Sequence, residues 1–211
     1  MEILSILPMN THRGKKTEAD RPRRGAPAQT RERLVNAAAA LFNRVGFHGT
    51  DSNRIAKEAG YSTGTFYKHF HDKREIFLAV YDAWVTSEWD AIAAELSAGG
   101  TPREIARRLV ERSIEFHTKW RGLRASLMEL VFTDAEVRRS YRKQRRRQLD
   151  LIPQLRQRFG LPPGTREEDA IHLFTAERTY DAIGQKELEA LGLDHHTVVE
   201  AMVQRVLAMI A

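Results

Sequence analysis

The chain of 211 residues contains no cysteine. A disulfide framework, thiolate metal sites and cysteine nucleophiles are thereby excluded, and a cytoplasmic setting is the expectation. No stretch approaches the roughly eighteen uninterrupted apolar residues that a membrane-spanning helix needs, so no membrane partner is expected. The opening MEILSILPMN has a short apolar run, but its basic residues follow that run instead of preceding it, so it is not read as a secretory signal. Signatures of catalysis are equally scarce. There is no serine elbow, no phosphate-cradling glycine loop and no evident nucleophile–base pair, so an enzyme is not expected. His117, His172 and the pair His195-His196 have no second ligand at a diagnostic spacing, so neither a metal nor a cofactor is expected.

What is present is a basic excess placed at one end. The net charge is +6, and residues 1–76 carry 14 Lys+Arg against 8 Asp+Glu while residues 77–211 carry 20 of each. Such an imbalance is the electrostatic footprint of a partner rich in phosphate. Residues 1–28 hold Arg13, Lys15, Lys16, Arg21, Arg23 and Arg24 among prolines and glycines, with few apolar positions after Leu7. Disorder is expected there, as a solvated tail or as a basic arm adding phosphate or minor-groove contacts.

The excess surrounds the stretch DSNRIAKEAGYSTGTFYKHF, residues 51–70. Asp51 caps a first short helix whose Ile55, Ala56 and Ala59 share a side, Gly60 ends it, and Ser62 caps a second helix. On that second helix Phe66 and Phe70 face inward, whereas Gly64, Thr65, Tyr67 and Lys68 face outward. A small, hydroxylated and basic surface suits close approach to a DNA groove flanked by phosphates. A preceding helix capped by Thr30, with Leu34, Ala38, Leu41, Phe42 and Val45 on one face, supplies the floor beneath this pair.

Further helices follow down the chain. A long amphipathic one starts at Asp72 with Glu75 and runs to Gly99 and Gly100. Thr101-Pro102-Arg103-Glu104 opens the next, and a strongly apolar helix after Gly122 includes Leu127, Met128 and Phe132 and is expected to be buried. Asp134 opens a helix to Phe159, which Pro153 can kink. Its cluster of Arg138, Arg139, Arg142, Lys143, Arg145, Arg146 and Arg147 reads as a solvated face, with nucleic acid or an acidic partner as the alternative. Pro162-Pro163-Gly164 breaks the chain, and Thr165 with Glu168 boxes the start of a helix to about Lys186. Asp194 starts the last helix, whose stripe of Val199, Met202, Val203, Val206 and Ile210, widened by Val198 and Leu207, is broad enough for a four-helix interface with a second copy.

From Thr50 to Lys73 the residues resemble the DNA-binding signature of the TetR family of bacterial transcriptional regulators: Thr50, Ile55-Ala56, Ala59-Gly60, Ser62, Thr65-Phe66-Tyr67, His69-Phe70 and Lys73. Ala39-Ala40-Leu41-Phe42 and Gly46-Phe47 match as well. The resemblance implies an all-α protein, with a three-helix helix-turn-helix domain at 29–76 followed by a ligand-binding and dimerisation domain at 77–211. It implies a homodimer, joined through the two C-terminal helices, that reads a palindromic double-stranded DNA operator and is released by a small-molecule effector. Carried over by position, Thr50, Tyr67, His69 and Lys73 would hold phosphates, and Asn53, Thr63, Gly64, Thr65 and Lys68 would face bases. Asp51 departs from a common threonine, which favours capping over phosphate contact.

For the effector, Trp84, Phe116, Trp120, Met128 and Phe132 are the apolar candidates, and Glu177, Tyr180 and Asp181 the polar ones. Charges on a covered helix need partners, either across a dimer or on a ligand. A ligand-independent protein that organises nucleoid DNA with the same reader is the competing reading.

Overall fold

In the computed structural model the described residues are 27–211, and among them every regular element is an α-helix. The expected basic arm lies outside the described residues except for Pro27 and Ala28, which open the first helix. The described chain divides into two compact units, one up to Ser87 and one from Glu88 onward.

The N-terminal unit contains α1 (Pro27–Val45), α2 (Ser52–Glu58), α3 (Thr63–Tyr67) and the first part of α4 (Lys73–Ser97). Helix α1 begins three residues before the expected cap. Thr30 is buried inside it, because Pro27 at the first position already has the helical φ and lacks the N–H that would go unpaired. Leu34, Ala38, Leu41 and Phe42 of α1 are fully buried, as are Ile55 and Ala56 of α2 and Phe66 of α3. Phe42 and Phe47 each meet Phe77 of α4 edge-on, with ring centroids 5.1 and 5.2 Å apart. Such pairs add about 0.5–1.5 kcal/mol beyond the area they bury.

The C-terminal unit holds the rest of α4, then α5 (Pro102–Lys119), α6 (Arg121–Thr133), α7 (Ala135–Phe159), α8 (Arg166–Gly184), the single turn α9 (Glu187–Ala190) and α10 (His195–Ile210). Both capping boxes form: Thr101 with Glu104 on α5, and Thr165 with Glu168 on α8. Asp134 caps α7 by accepting from the amides of Glu136 and Val137, and Asp194 caps α10. Helix α7 runs through Pro153 unbroken to Gly160, whose φ of 64° stops it. Helix α8 ends two residues before Lys186, which takes the left-handed conformation.

Helices α5, α8 and α10 share one apolar core, which includes Val110, Ala176, Tyr180 and Val203. The wide stripe of α10 is used inside the chain, since Met202, Val203 and Val206 are buried in that core and Val199, Leu207 and Ile210 pack against it. Phe132 departs from the expectation of a wholly buried α6. It is 79% exposed at the C-terminal end, where Arg138 turns back to donate to the carbonyls of Val131 and Phe132 at 2.8 and 2.6 Å.

Candidate nucleic-acid interface and buried cavity

The reader is assembled by local hydrogen bonds. Asp51 accepts from the Arg54 amide at 2.8 Å and starts α2. Gly60, at φ 81°, lets the Tyr61 amide return to the carbonyl of Ala56 at 2.9 Å. Ser62 then caps α3 by accepting from the Thr65 amide. The two helices are tied directly, because the Thr63 hydroxyl donates to Asn53 Oδ1 at 2.9 Å. Phe66 and Phe70 anchor the underside with ring centroids 5.8 Å apart, and Arg31 lies over the Phe70 ring.

On the outer surface the structure brings together Asn53, Gly64, Tyr67 and Lys68, all exposed, with Thr63 and Thr65 half-exposed beside them. Tyr67 is 56% exposed. A Cβ on Gly64 would meet only Ser62 Oγ, at 3.9 Å, so nothing within the chain requires a bare backbone there. Three residues assigned to phosphate are placed differently. Thr50 is buried, and His69 is half-buried. Lys73 donates its ammonium to the carbonyls of Phe47 and Thr50, both at 2.8 Å, and lies 4.1 Å from the centre of the Phe47 ring. Burial holds its pKa below the usual lysine value, although Asp51 pulls the other way. Lys73 thus pins the chain after α1 to the start of α4.

In the C-terminal unit a cavity of about 150 Å³ opens among α4, α5, α7, α8 and α10. That is room for roughly one aromatic ring. Its wall is mostly aliphatic, including Ile92, Leu109, Ile152, Leu155 and Val206, with Trp89 and Tyr180 as aromatic members. The polar members are Glu88, Ser113, His117, Gln148, Arg156, His172 and Glu177.

Several of these polar members belong to a network of paired charges that extends behind the wall. His117 Nδ1 lies 2.8 Å from Asp181 Oδ1, and its Nε2 lies 3.3 Å from Glu88 Oε1. Burial disfavours the imidazolium, but the bond to Asp181 and the neighbouring Glu88 carboxylate outweigh it and raise the histidine pKa. Arg124 forks onto Asp181 at 2.9 and 2.6 Å. Against the upward push of burial, His117 and Arg124 bring the Asp181 pKa down to about 2. Arg145 donates to both oxygens of Glu177, to Tyr141 and to Gln148. Burial would raise the Glu177 pKa, yet Arg124 and Arg145 keep it below the ordinary carboxylate range. His172 has the opposite fate: burial, aided by Arg205, lowers its pKa to about 4 and leaves it neutral.

Of the residues expected to bind an effector, Glu177 and Tyr180 line the cavity and Asp181 stands one layer behind, bonded to His117. Trp84 is buried in the N-terminal unit, and Phe116, Trp120, Met128 and Phe132 lie outside the wall. The physical reason is a shift of face. On α5 the wall is Leu109, Ser113 and His117, at i, i+4 and i+8, whereas Phe116 and Trp120 form the neighbouring stripe. On α4 the wall starts at Glu88, one turn beyond Trp84. On α5 bulk marked the neighbouring stripe, because the cavity faces the turn positions of Leu109, Ser113 and His117. Arg145, read as part of a solvated cluster, is likewise buried.

A capped helix pair that presents a small, polar and basic outer surface has the geometry of a helix-turn-helix DNA reader. Comparison with known proteins makes this specific: residues 34–80 match the family described as bacterial regulatory proteins, tetR family. Residues 34–80 thus carry the DNA-binding domain of the TetR family of transcriptional regulators. Among relatives, the helix-turn-helix-type transcriptional regulator AcrR of Shigella flexneri is 31% identical over 112 residues, 51% of this chain and 50% of that one. The helix-turn-helix-type transcriptional activator FasR of Mycolicibacterium smegmatis is 33% identical over 107 residues, 49% of each. The chain thus spans about half the length of these curated relatives. A solved Rhodococcus sp. protein assigned to the family superposes with a TM-score of 0.67 at 16% identity, covering 87% of this chain and 100% of that one, which shows the shared fold. No helix among the described residues is long and apolar enough to cross a membrane.

Proposed function

We propose that the chain is a cytoplasmic, ligand-responsive repressor that binds a palindromic operator as a homodimer and leaves it when a small, largely apolar effector enters the C-terminal cavity. The observation that carries the ligand response is the cavity itself, aliphatic over most of its wall and polar at a few points, the usual make-up of small-molecule sites. In the reader, Thr65 and Lys68 contact base edges from α3, with Asn53, Thr63 and Gly64 beside them and Tyr67 on phosphate. Support for a dimer comes from α8, which leaves Ile171 and Phe174 57% and 53% exposed. A second copy packed on α8 and α10 would cover them, as two-fold interfaces do.

Effector and operator must oppose each other through one coupling free energy, so a ligand that lowers operator affinity is itself bound more weakly by the DNA complex. The test has two parts. Selection from random DNA should return a two-fold symmetric site. A small-molecule screen by thermal shift should then yield a compound that stabilises the protein and lowers affinity for that site. Selected sites without symmetry, or stabilising ligands that leave DNA binding untouched, would end the proposal. A reporter driven by the selected site decides its sign: repression supports the reading, and activation of the kind named for FasR overturns it.

A further inference from the structure

Helix α7 has two chemically different faces. Its inward face carries Val137, Gln148 and Leu155, with Arg145 paired to Glu177 and Arg156 to Asp169. At 100° per residue, Arg139, Arg142, Lys143 and Arg146 fall on the opposite side at i, i+3, i+4 and i+7, and all four are exposed. Among the described residues none of the four side chains makes an ion pair or a hydrogen bond. The nearby cations contrast with them: Arg138 bonds to backbone carbonyls, and Arg166 pairs with Asp150 at 2.7 Å.

Like charges at these spacings repel, so the stripe weakens the helix that carries it. Three of the four are arginine, whose planar fork matches phosphate oxygens in a bidentate manner. The stripe holds no apolar residue, unlike the core of a protein interface. The apolar face of α7 is turned into the fold, unlike that of a helix lying in a membrane surface. A regulator already docked on DNA by its N-terminal unit meets one polyanion at high effective concentration.

We infer that the α7 stripe is a second, sequence-independent DNA contact that holds backbone phosphates. The inference rests on the chain being a DNA-binding regulator, and not on how α3 chooses its bases. Seven residues rise about 10 Å along the helix, matching about three phosphates of one strand at 3.4 Å of axis each.

The test uses the full chain with Arg139→Gln, Arg142→Gln, Lys143→Gln and Arg146→Gln combined. Binding is measured against salt on a minimal operator duplex, on the same duplex extended by about two helical turns on each side, and on random-sequence duplex. On the extended and random duplexes the slope of log K against log salt should become shallower by about 2.7 per stripe engaged, about 0.9 for each phosphate. The preference for operator over random sequence on duplexes of equal length should stay as it was. A companion variant with the three arginines changed to lysine should keep the wild-type slope, which separates lost charge from lost structure. Unchanged slopes on every duplex overturn the inference. So does wild-type binding to anionic-lipid vesicles that exceeds binding to random duplex and disappears in the glutamine variant. Failure of the reader shows elsewhere, as operator preference indifferent to Lys68→Ala, with the α7 slope intact.

Discussion

In the N-terminal unit the buried residues are aliphatic and aromatic, with Thr30 and Thr50 the polar exceptions among those described; the C-terminal unit buries Glu88, His117, Arg124, Arg145, Arg156, Asp169 and Glu177. A close-packed apolar core has one good arrangement and resists deformation. A core of paired ions stands only while each partner stays within reach, and its partners here come from α4, α5, α6, α7 and α8. The contrast sets a rigid helix-turn-helix unit beside one whose arrangement depends on distant charges staying paired.

The difference can be broken most severely at Arg124. Arg124→Leu leaves Asp181 without its fork and Glu177 with one cation fewer, and should cost about 3–5 kcal/mol in denaturant unfolding, as removal of one member of a buried ion pair does. A loss below 1 kcal/mol would mean that the network is solvated. In the N-terminal unit the comparable pin is Lys73. Lys73→Met removes two hydrogen bonds and a cation–π contact, and should cost about 2 kcal/mol while weakening all DNA sequences alike. Full stability with selective loss of DNA affinity would instead make Lys73 a direct phosphate ligand.

Acid sharpens the comparison next. The Asp181 pKa is about 2 in the fold against 3.8 for the free side chain, so its contribution is complete above about pH 4 and fades as pH falls towards 2. After allowance for solvent screening this is about 1–2 kcal/mol. His172, lowered to about 4, works in the same direction: the unfolded chain takes up its proton first, so stability falls between pH 6.5 and 4. Amide exchange, corrected for its intrinsic pH dependence, should therefore rise in α8 before α1 on acidification. The reverse order would show that the charged core is the sturdier one. The smallest effect is expected at Gly64. Gly64→Ala has room within the chain and should raise stability by up to about 1 kcal/mol, yet weaken operator binding, because the methyl group points where a groove floor would approach. Unchanged affinity would remove Gly64 from the interface.

Much of the fold was legible because its signals are local. Asp51, Ser62, Thr101, Asp134, Thr165 and Asp194 each cap a helix through contacts two or three residues away. The reader was legible for the same reason, since Asn53, Thr63 and Thr65 act within one turn and one helix pair. The cavity was not. His117 and Asp181 are 64 residues apart, Arg145 and Glu177 are 32 apart, and a charge whose partner lies that far along the chain reads as solvated until both helices are in place.

The sequence by itself determined where most of the helices are capped, that the basic excess gathers around a helix-turn-helix, and which face of α3 looks outward, since caps, turns and helical periodicity act over a few residues. The tertiary structure decided which charges are buried, that Lys73 pins the backbone, and that the cavity is walled by Ser113 and His117 in place of Phe116 and Trp120. Those outcomes depend on which helix faces meet, and the desolvation and pairing that set them arise only when distant segments close around one another.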